Sequence, residues 1–265
     1  MTAVNLNRLR HQLQDVMVYF SAPVQFHYGL RALFSLYANY GLRFGDSAPT
    51  RPLIPMYHLP HPVLRQLKLE LQPRIEADPD SALNLSDELW QDDYYEVKHT
   101  SIFIIGSVPP QDPRWILDRL EEWLKPGLDQ VLKADLLSVG TLSLQNAFPE
   151  AWEKLLNSLL SRSEPGMIAL GIQGLVAGVK RPNFYNLPAV FRLASPFIRD
   201  PHSAYSRDLE DLIETLAEIS PKETGYFLKQ TLSVSSSPET PRLIKSCLSS
   251  FPDDVQKDLK AALNP

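Results

Sequence analysis

Apolar residues recur along this chain at spacings of three and four, with polar residues between them. Leu6, Leu9, Leu13, Val16 and Phe20 trace one face of a first segment, the rhythm of an amphipathic helix. The spacing predicts a second helix from about 26 to 42, with Leu30, Leu33, Phe34 and Tyr37 on one side. Gly41 and Gly45 suit its end, because glycine tolerates the left-handed C-cap. After a proline-rich stretch, Pro62 opens a helix striped by Val63, Leu67 and Leu71. Asp78-Pro79-Asp80 ends it and starts another, to Trp90. Asp92 or Asp93 can cap the next, which carries Tyr95, Thr100, Ile102, Phe103 and Ile105.

The same grammar continues to the C-terminus. Asp112-Pro113 reads as an N-cap followed by a proline in the first helical turn, and Pro126-Gly127 is a break. Leu128, Val131, Leu132, Leu136 and Val139 form one stripe, and Trp152, Leu155, Leu156 and Leu159 the next. Pro165-Gly166, Asn186, Ser206, Pro221 and Pro241 each precede a further helical pattern, and Val255, Leu259 and Leu263 close the series. Clear two-residue alternation is nearly absent, so strands are not expected. Helix pairs recur every 30 to 45 residues or so, the range of helical-repeat solenoids. The expected fold is all-α, a helical-repeat solenoid formed by residues 1–265 as one domain; a globular helix bundle, which also buries amphipathic helices, is the rival.

Composition narrows the setting. The chain has 265 residues, 44% hydrophobic and 22% charged, with a net charge of −5, values of an ordinary globular protein. Cys247 stands alone, so an intrachain disulfide and a cysteine zinc site are excluded and a reducing compartment is expected. Within an otherwise apolar pattern it reads as a buried structural thiol rather than a nucleophile. The longest apolar stretch, 168–179, is 12 residues including Gln173, too short to span a bilayer. The N-terminus lacks the features of a signal peptide. A soluble, cytoplasmic protein without a membrane association is therefore expected.

Charge is unevenly spread. Residues 76–96 hold eight acidic side chains and no basic one. Lys180, Arg181, Arg192, Arg199 and Arg207 face Asp200 alone across 180–207, with Phe184, Tyr185, Phe191, Phe197 and Tyr205 among them. Such cations on a solenoid could hold a phosphodiester backbone; a solvated surface with aromatics turned inward is the plainer reading, and suits the acidic total. Gly171, Gly174 and Gly178 lack the Lys-Ser or Lys-Thr ending of a phosphate loop and read as a close helix–helix approach. His58 and His61 flank a proline without the further ligands a metal needs, so no metal and no cofactor is expected. Asp135 falls at the edge of the apolar stripe around Val131 and Leu132. A carboxylate there is poorly solvated unless it lines a groove or meets a donor; a structural ion pair explains it as simply.

Three segments carry a family resemblance. Tyr57-His-Leu-Pro-His-Pro-Val-Leu-Arg-Gln-Leu67, Leu85-Ser-Asp-Glu-Leu-Trp90 followed by Tyr94-Tyr-Glu96 and an apolar run to Gly106, and Arg242-Leu-Ile-Lys-Ser-Cys-Leu248 together resemble the AlkD-like bacterial DNA alkylation repair proteins, which are built of HEAT-like helical repeats. The resemblance implies a cationic concave face that grips duplex DNA. It also implies metal-free hydrolysis of the N-glycosidic bond of N3- or N7-alkylpurines. A carboxylate stabilises the oxocarbenium-like sugar and aromatic side chains contact the cationic nucleotide. By helix order the family's catalytic aspartate falls on Asp135. The family's tryptophan four residues earlier is Val131 here, and its cleft arginine and a second cleft tryptophan have no counterpart near 168–171 or 214–215. Each missing cation–π contact costs about 0.5–2 kcal/mol and a missing phosphate clamp about 1.5–3 kcal/mol. Three functions follow as expectations. One is duplex binding with degenerate catalysis, with Lys180, Arg181, Arg192, Arg199 and Arg207 on the backbone. Another is active alkylpurine hydrolysis through Asp135. The third is a protein–protein scaffold without nucleic acid.

Overall fold

Helix ends fall where short polar side chains can take up the unpaired amides of a first turn. In the computed structural model, which describes residues 4–39, 52–125, 127–181 and 186–263, Asn5 accepts from the Arg8 amide at 3.1 Å and opens α1 (Leu6–Met17). Asp78 accepts from the Ser81 amide at 3.1 Å, so it ends α3 (His61–Ala77) and caps α4 (Pro79–Trp90). Between α1 and α3 lies α2 (Pro23–Tyr37). It stops before Gly41 and Gly45, the expected C-cap glycines, which lie outside the described residues. Next come α5 (Tyr95–Ser107), α6 (Arg114–Trp123), α7 (Gln130–Asp135), α8 (Leu142–Ala147) and α9 (Pro149–Leu160). The remainder are α10 (Pro165–Val179), α11 (Leu187–Arg199), α12 (Ser206–Ile219), α13 (Pro221–Val234), α14 (Glu239–Ser246) and α15 (Asp253–Leu263). Among the described residues there is no strand, and no helix is long and apolar enough to cross a membrane. The protein is all-α.

The chain forms two compact units, Met1–Trp152 and Glu153–Pro265. In the first, α1 packs on α3, α2 on α4 and α3 on α5, besides the contacts between neighbours in sequence. In the second, α10 packs on α12, α11 on α13, α12 on α14 and α13 on α15. This next-but-one order is what stacked helix pairs produce.

The centre of the first unit is α5. Val97, Ile102, Ile104 and Ile105 are fully buried, and so are the polar Thr100 and Ser101. A helix apolar on nearly all sides has to sit inside its neighbours. Its polar side chains bond backbone: Ser101 Oγ donates to the Ser86 carbonyl at 2.7 Å, and Thr100 Oγ1 to the Glu96 carbonyl at 2.8 Å.

One region departs from the expected α stripe. After Asp135 the chain runs as a π-helical turn, Leu136–Gly140. The extra residue in this turn shifts the buried set to Leu132, Leu136, Leu137 and Gly140, while Val131 and Val139 are only half-buried. The lack of a side chain at Gly106 explains why α5 can lie against this turn: a Cβ there would stand 2.0 Å from the Val139 carbonyl oxygen. In the second unit the glycine-rich α10 makes a similar approach, a Cβ at Gly171 falling 2.7 Å from two Leu160 side-chain carbons.

Candidate functional site

Asp135 ends α7, where the helix widens into the π turn. Its side chain is 19% exposed. Both described bonds end on one oxygen: the Tyr95 hydroxyl donates to Oδ2 at 2.9 Å, and His99 Nδ1 lies 3.1 Å from the same atom. Among the described residues none bonds Oδ1. Behind the imidazole, Lys68 of α3 sets its Nζ 3.0 Å from His99 Nε2 and 5.1 Å from the Phe103 ring centroid. The result is a chain of contacts, Asp135–His99–Lys68, with Tyr95 at its head.

The local sequence accounts for the arrangement. Tyr95, His99 and Phe103 are four residues apart on α5, which puts them on one side of the helix. Gly106, one turn further, lets that side close on the π turn and so on Asp135. The Tyr95 and His99 rings stack at 5.6 Å. Burial pushes the Tyr95 hydroxyl well above its ordinary value, and the neighbouring Asp135 charge pushes it further. Burial lowers Lys68 below the usual lysine range, against an opposing pull from Asp135. Neither His99 nor Lys68 was marked by composition or motif; the four-residue spacing of Tyr95, His99 and Phe103 on α5 was the available signal.

A second polar cluster ties the same unit together. His27 Nδ1 is 2.9 Å from Glu88 Oε1, and its Nε2 is 2.5 Å from Asp92 Oδ2, with Arg31 Nη1 3.6 Å from that oxygen. Glu96, only 2% exposed, accepts the backbone amide of Tyr57 at 3.0 Å and that of Leu59 at 3.4 Å. Asp87 takes Arg119 through two bonds, at 2.6 and 2.7 Å. Lys98 lies 4.6 Å over the Trp90 ring and donates to the Trp90 carbonyl; Trp90 in turn stacks on Trp123 at 4.4 Å. Of the acidic block over 76–96, Asp92 and Glu96 are buried and Asp87 and Glu88 are paired, while Glu76, Asp80 and Asp93 are exposed.

The five cations proposed from sequence all lie in the second unit. Lys180 caps the end of α10 and is exposed; Arg181 follows it, half-buried, its guanidinium lowered by desolvation. Arg192 on α11 is exposed and ion-paired to Glu153. Arg199 ends α11 exposed, its carbonyl accepting from Ser235 and Thr240. Arg207 is exposed in the first turn of α12 beside Asp208. The aromatics between them pair with one another, Phe197 edge-on to Tyr205 and Phe191 stacked on Phe227 at 4.6 Å; Phe184 and Tyr185 lie outside the described residues. Cys247 is fully buried, and burial pushes its thiol up to about 12. Among the described residues no group of three metal-ligating side chains assembles. Compared with family models, with curated proteins and with solved structures, the chain matches none.

Proposed function

We propose that this chain is a HEAT-like repeat protein of the DNA alkylation repair kind, binding duplex DNA and acting on N3- or N7-alkylpurines through Asp135. The observation that carries the reading is the state of that carboxylate. It is mostly withdrawn from water, held by Tyr95 and His99 on Oδ2 alone, and keeps Oδ1 for another partner. A fixed negative oxygen in a poorly solvated place is what a developing oxocarbenium sugar needs, since a preorganised charge is worth more there than in water. Tyr95 sets an aromatic ring beside that carboxylate. The next-but-one helix packing in both units agrees with stacked repeats.

Release of 7-methylguanine or 3-methyladenine from methylated duplex tests it. Asp135→Asn keeps the shape and removes the charge; loss of about 10²–10³ in rate is expected, the effect of removing one preorganised electrostatic partner. Equal release by the variant would remove Asp135 from the chemistry. Duplex binding at two salt concentrations tests the Arg and Lys contacts, because each neutralised phosphate steepens the salt dependence. No binding at low salt would end the DNA reading altogether.

A further inference from the structure

Lys68 is placed as a half-buried amine facing a base. Among the described residues no carboxylate lies within ion-pair distance of Nζ; its hydrogen-bond partner is the imidazole of His99 at 3.0 Å. The other ring nitrogen settles what that contact contains. Asp135 Oδ2 accepts, so His99 Nδ1 carries a proton and donates it. One further proton then lies between Nε2 and Nζ. Either an ammonium donates to the imidazole lone pair, or an imidazolium donates to a neutral amine. Both states keep both hydrogen bonds. Shifting the proton therefore generates a free amine without breaking a contact, the logic by which a base held by a carboxylate activates a nucleophile.

We propose that Asp135, His99 and Lys68 form a nucleophile triad in which the Lys68 amine condenses with an aldehyde to form an imine. This rests on the DNA reading only for the source of the aldehyde. Hydrolysis of an N-glycosidic bond leaves a deoxyribose whose ring-opened form carries an aldehyde at C1′. The amine lone pair forms the bond to that carbon and the carbonyl electron pair moves to oxygen. The proton that His99 Nε2 took from the ammonium passes to that oxygen and makes a hydroxyl, and the nitrogen then gives a second proton to the freed Nε2. The imidazolium protonates the hydroxyl, which leaves as water, and C1′ and Nζ are joined by a double bond as the protonated imine. No oxidant or reductant is consumed. Lys68, Tyr95, His99 and Asp135 are each half-buried, so the cluster still meets solvent.

Lys98 supplies an internal control. It is lowered by burial in the same sense as Lys68, but its nitrogen donates to a backbone carbonyl that cannot take a proton. Desolvation alone would activate the two lysines alike; the triad activates Lys68.

The full chain is treated near neutral pH with cyanoborohydride, which reduces an imine to a stable secondary amine. One arm uses a duplex with a single abasic site and the other uses limiting acetaldehyde; peptide mapping then locates the modified lysine. In the acetaldehyde arm Lys68 is expected to react about 10²-fold faster than Lys98, the lower end of what a positioned base contributes. In His99→Ala that advantage should vanish. A cross-link from the abasic duplex to Lys68 supports the triad and the DNA source together. Preferential acetaldehyde labelling without a duplex cross-link supports the amine and overturns DNA as its source. Equal labelling of Lys68 and Lys98 in the folded protein, or a duplex cross-link at another lysine, overturns the proposal, and neither readout depends on a variant folding.

Discussion

His27 and His99 sit in the same unit with nearly equal side-chain exposure, 16% and 14%, and both have partners on both ring nitrogens. Their partners differ. His27 faces two carboxylates, Glu88 and Asp92, with an acceptor at each ring nitrogen. The Asp92 side chain has no exposure at all, so water cannot replace the ring as its partner. His99 faces one carboxylate and one amine, and its second proton can move without stranding anything. With burial held constant, partner chemistry separates a clamp between α2 and α4 from a site where a proton can be exchanged. Glu88 and Asp92 belong to the acidic block of 76–96, and the clamp is where their charge goes.

The largest disturbance should come from Gly106→Ala. Its Cβ would meet the Val139 carbonyl oxygen at 2.0 Å, and backbone on both sides cannot swing away as a side-chain tip could. Overpacking of this kind costs about 3 kcal/mol, visible as a lowered denaturant midpoint. The separation of α5 from the π turn should also take Tyr95 and His99 away from Asp135, while the His27 clamp, built on α2 and α4, persists. An unchanged midpoint would mean that the α5 contact yields freely, and the geometric account of the site would fail with it.

The two histidines should then part company on truncation. His27→Ala leaves Asp92 buried with Arg31 at 3.6 Å as its remaining charged partner. Breaking a buried pair from one side costs about 3–5 kcal/mol; the nearby arginine should hold the loss to the low end or just below. His99→Ala leaves Asp135 with the Tyr95 hydroxyl and some water, so about 1 kcal/mol is expected, the net worth of one hydrogen bond. Activity should follow the reverse order: excision and Lys68 labelling fall in His99→Ala and survive in the folded fraction of His27→Ala. Equal stability losses would erase the distinction between clamp and site.

How far the sequence reached can be read at these same residues. The three-and-four rhythm located most helices because burial of one face is a local property of the chain. It set Asp78 and Asn186 at helix starts, where each side chain accepts an amide of the following turn, and it put Asp135 at the rim of its stripe. It could not anticipate the π turn, because one extra residue in a turn changes no composition and little spacing. Nor could it pair Lys68 with His99, which are 31 residues apart and meet only because α3 packs on α5. Arg192 shows the same limit: it stands in a run nearly free of acids, yet its partner Glu153 comes from 39 residues earlier in the chain. Contacts across helices are fixed by packing that no single stretch encodes.

The smallest effect expected is in the pH dependence of stability, and it separates Lys68 from Lys98 most finely. Both lysines are lowered from the ordinary 10.5 by burial. As pH rises, the folded chain therefore releases these protons before the unfolded chain does. Between the depressed values and 10.5 the unfolded state binds more protons, and stability rises with pH. Below that window the cost of burying each charge is present in full; above it the cost is gone. Tyr95, raised above 10.0, acts with the opposite sign once the unfolded tyrosine ionises, so the slope is best read below pH 10. Lys68→Met and Lys98→Met should each flatten the alkaline rise by their own share, which denaturant midpoints across the range will show. A slope indifferent to Lys68→Met would mean that Nζ is as well hydrated in the folded protein as in the unfolded chain. Equal slopes from the two variants, combined with unequal aldehyde labelling, would place the difference between the lysines in His99 rather than in burial.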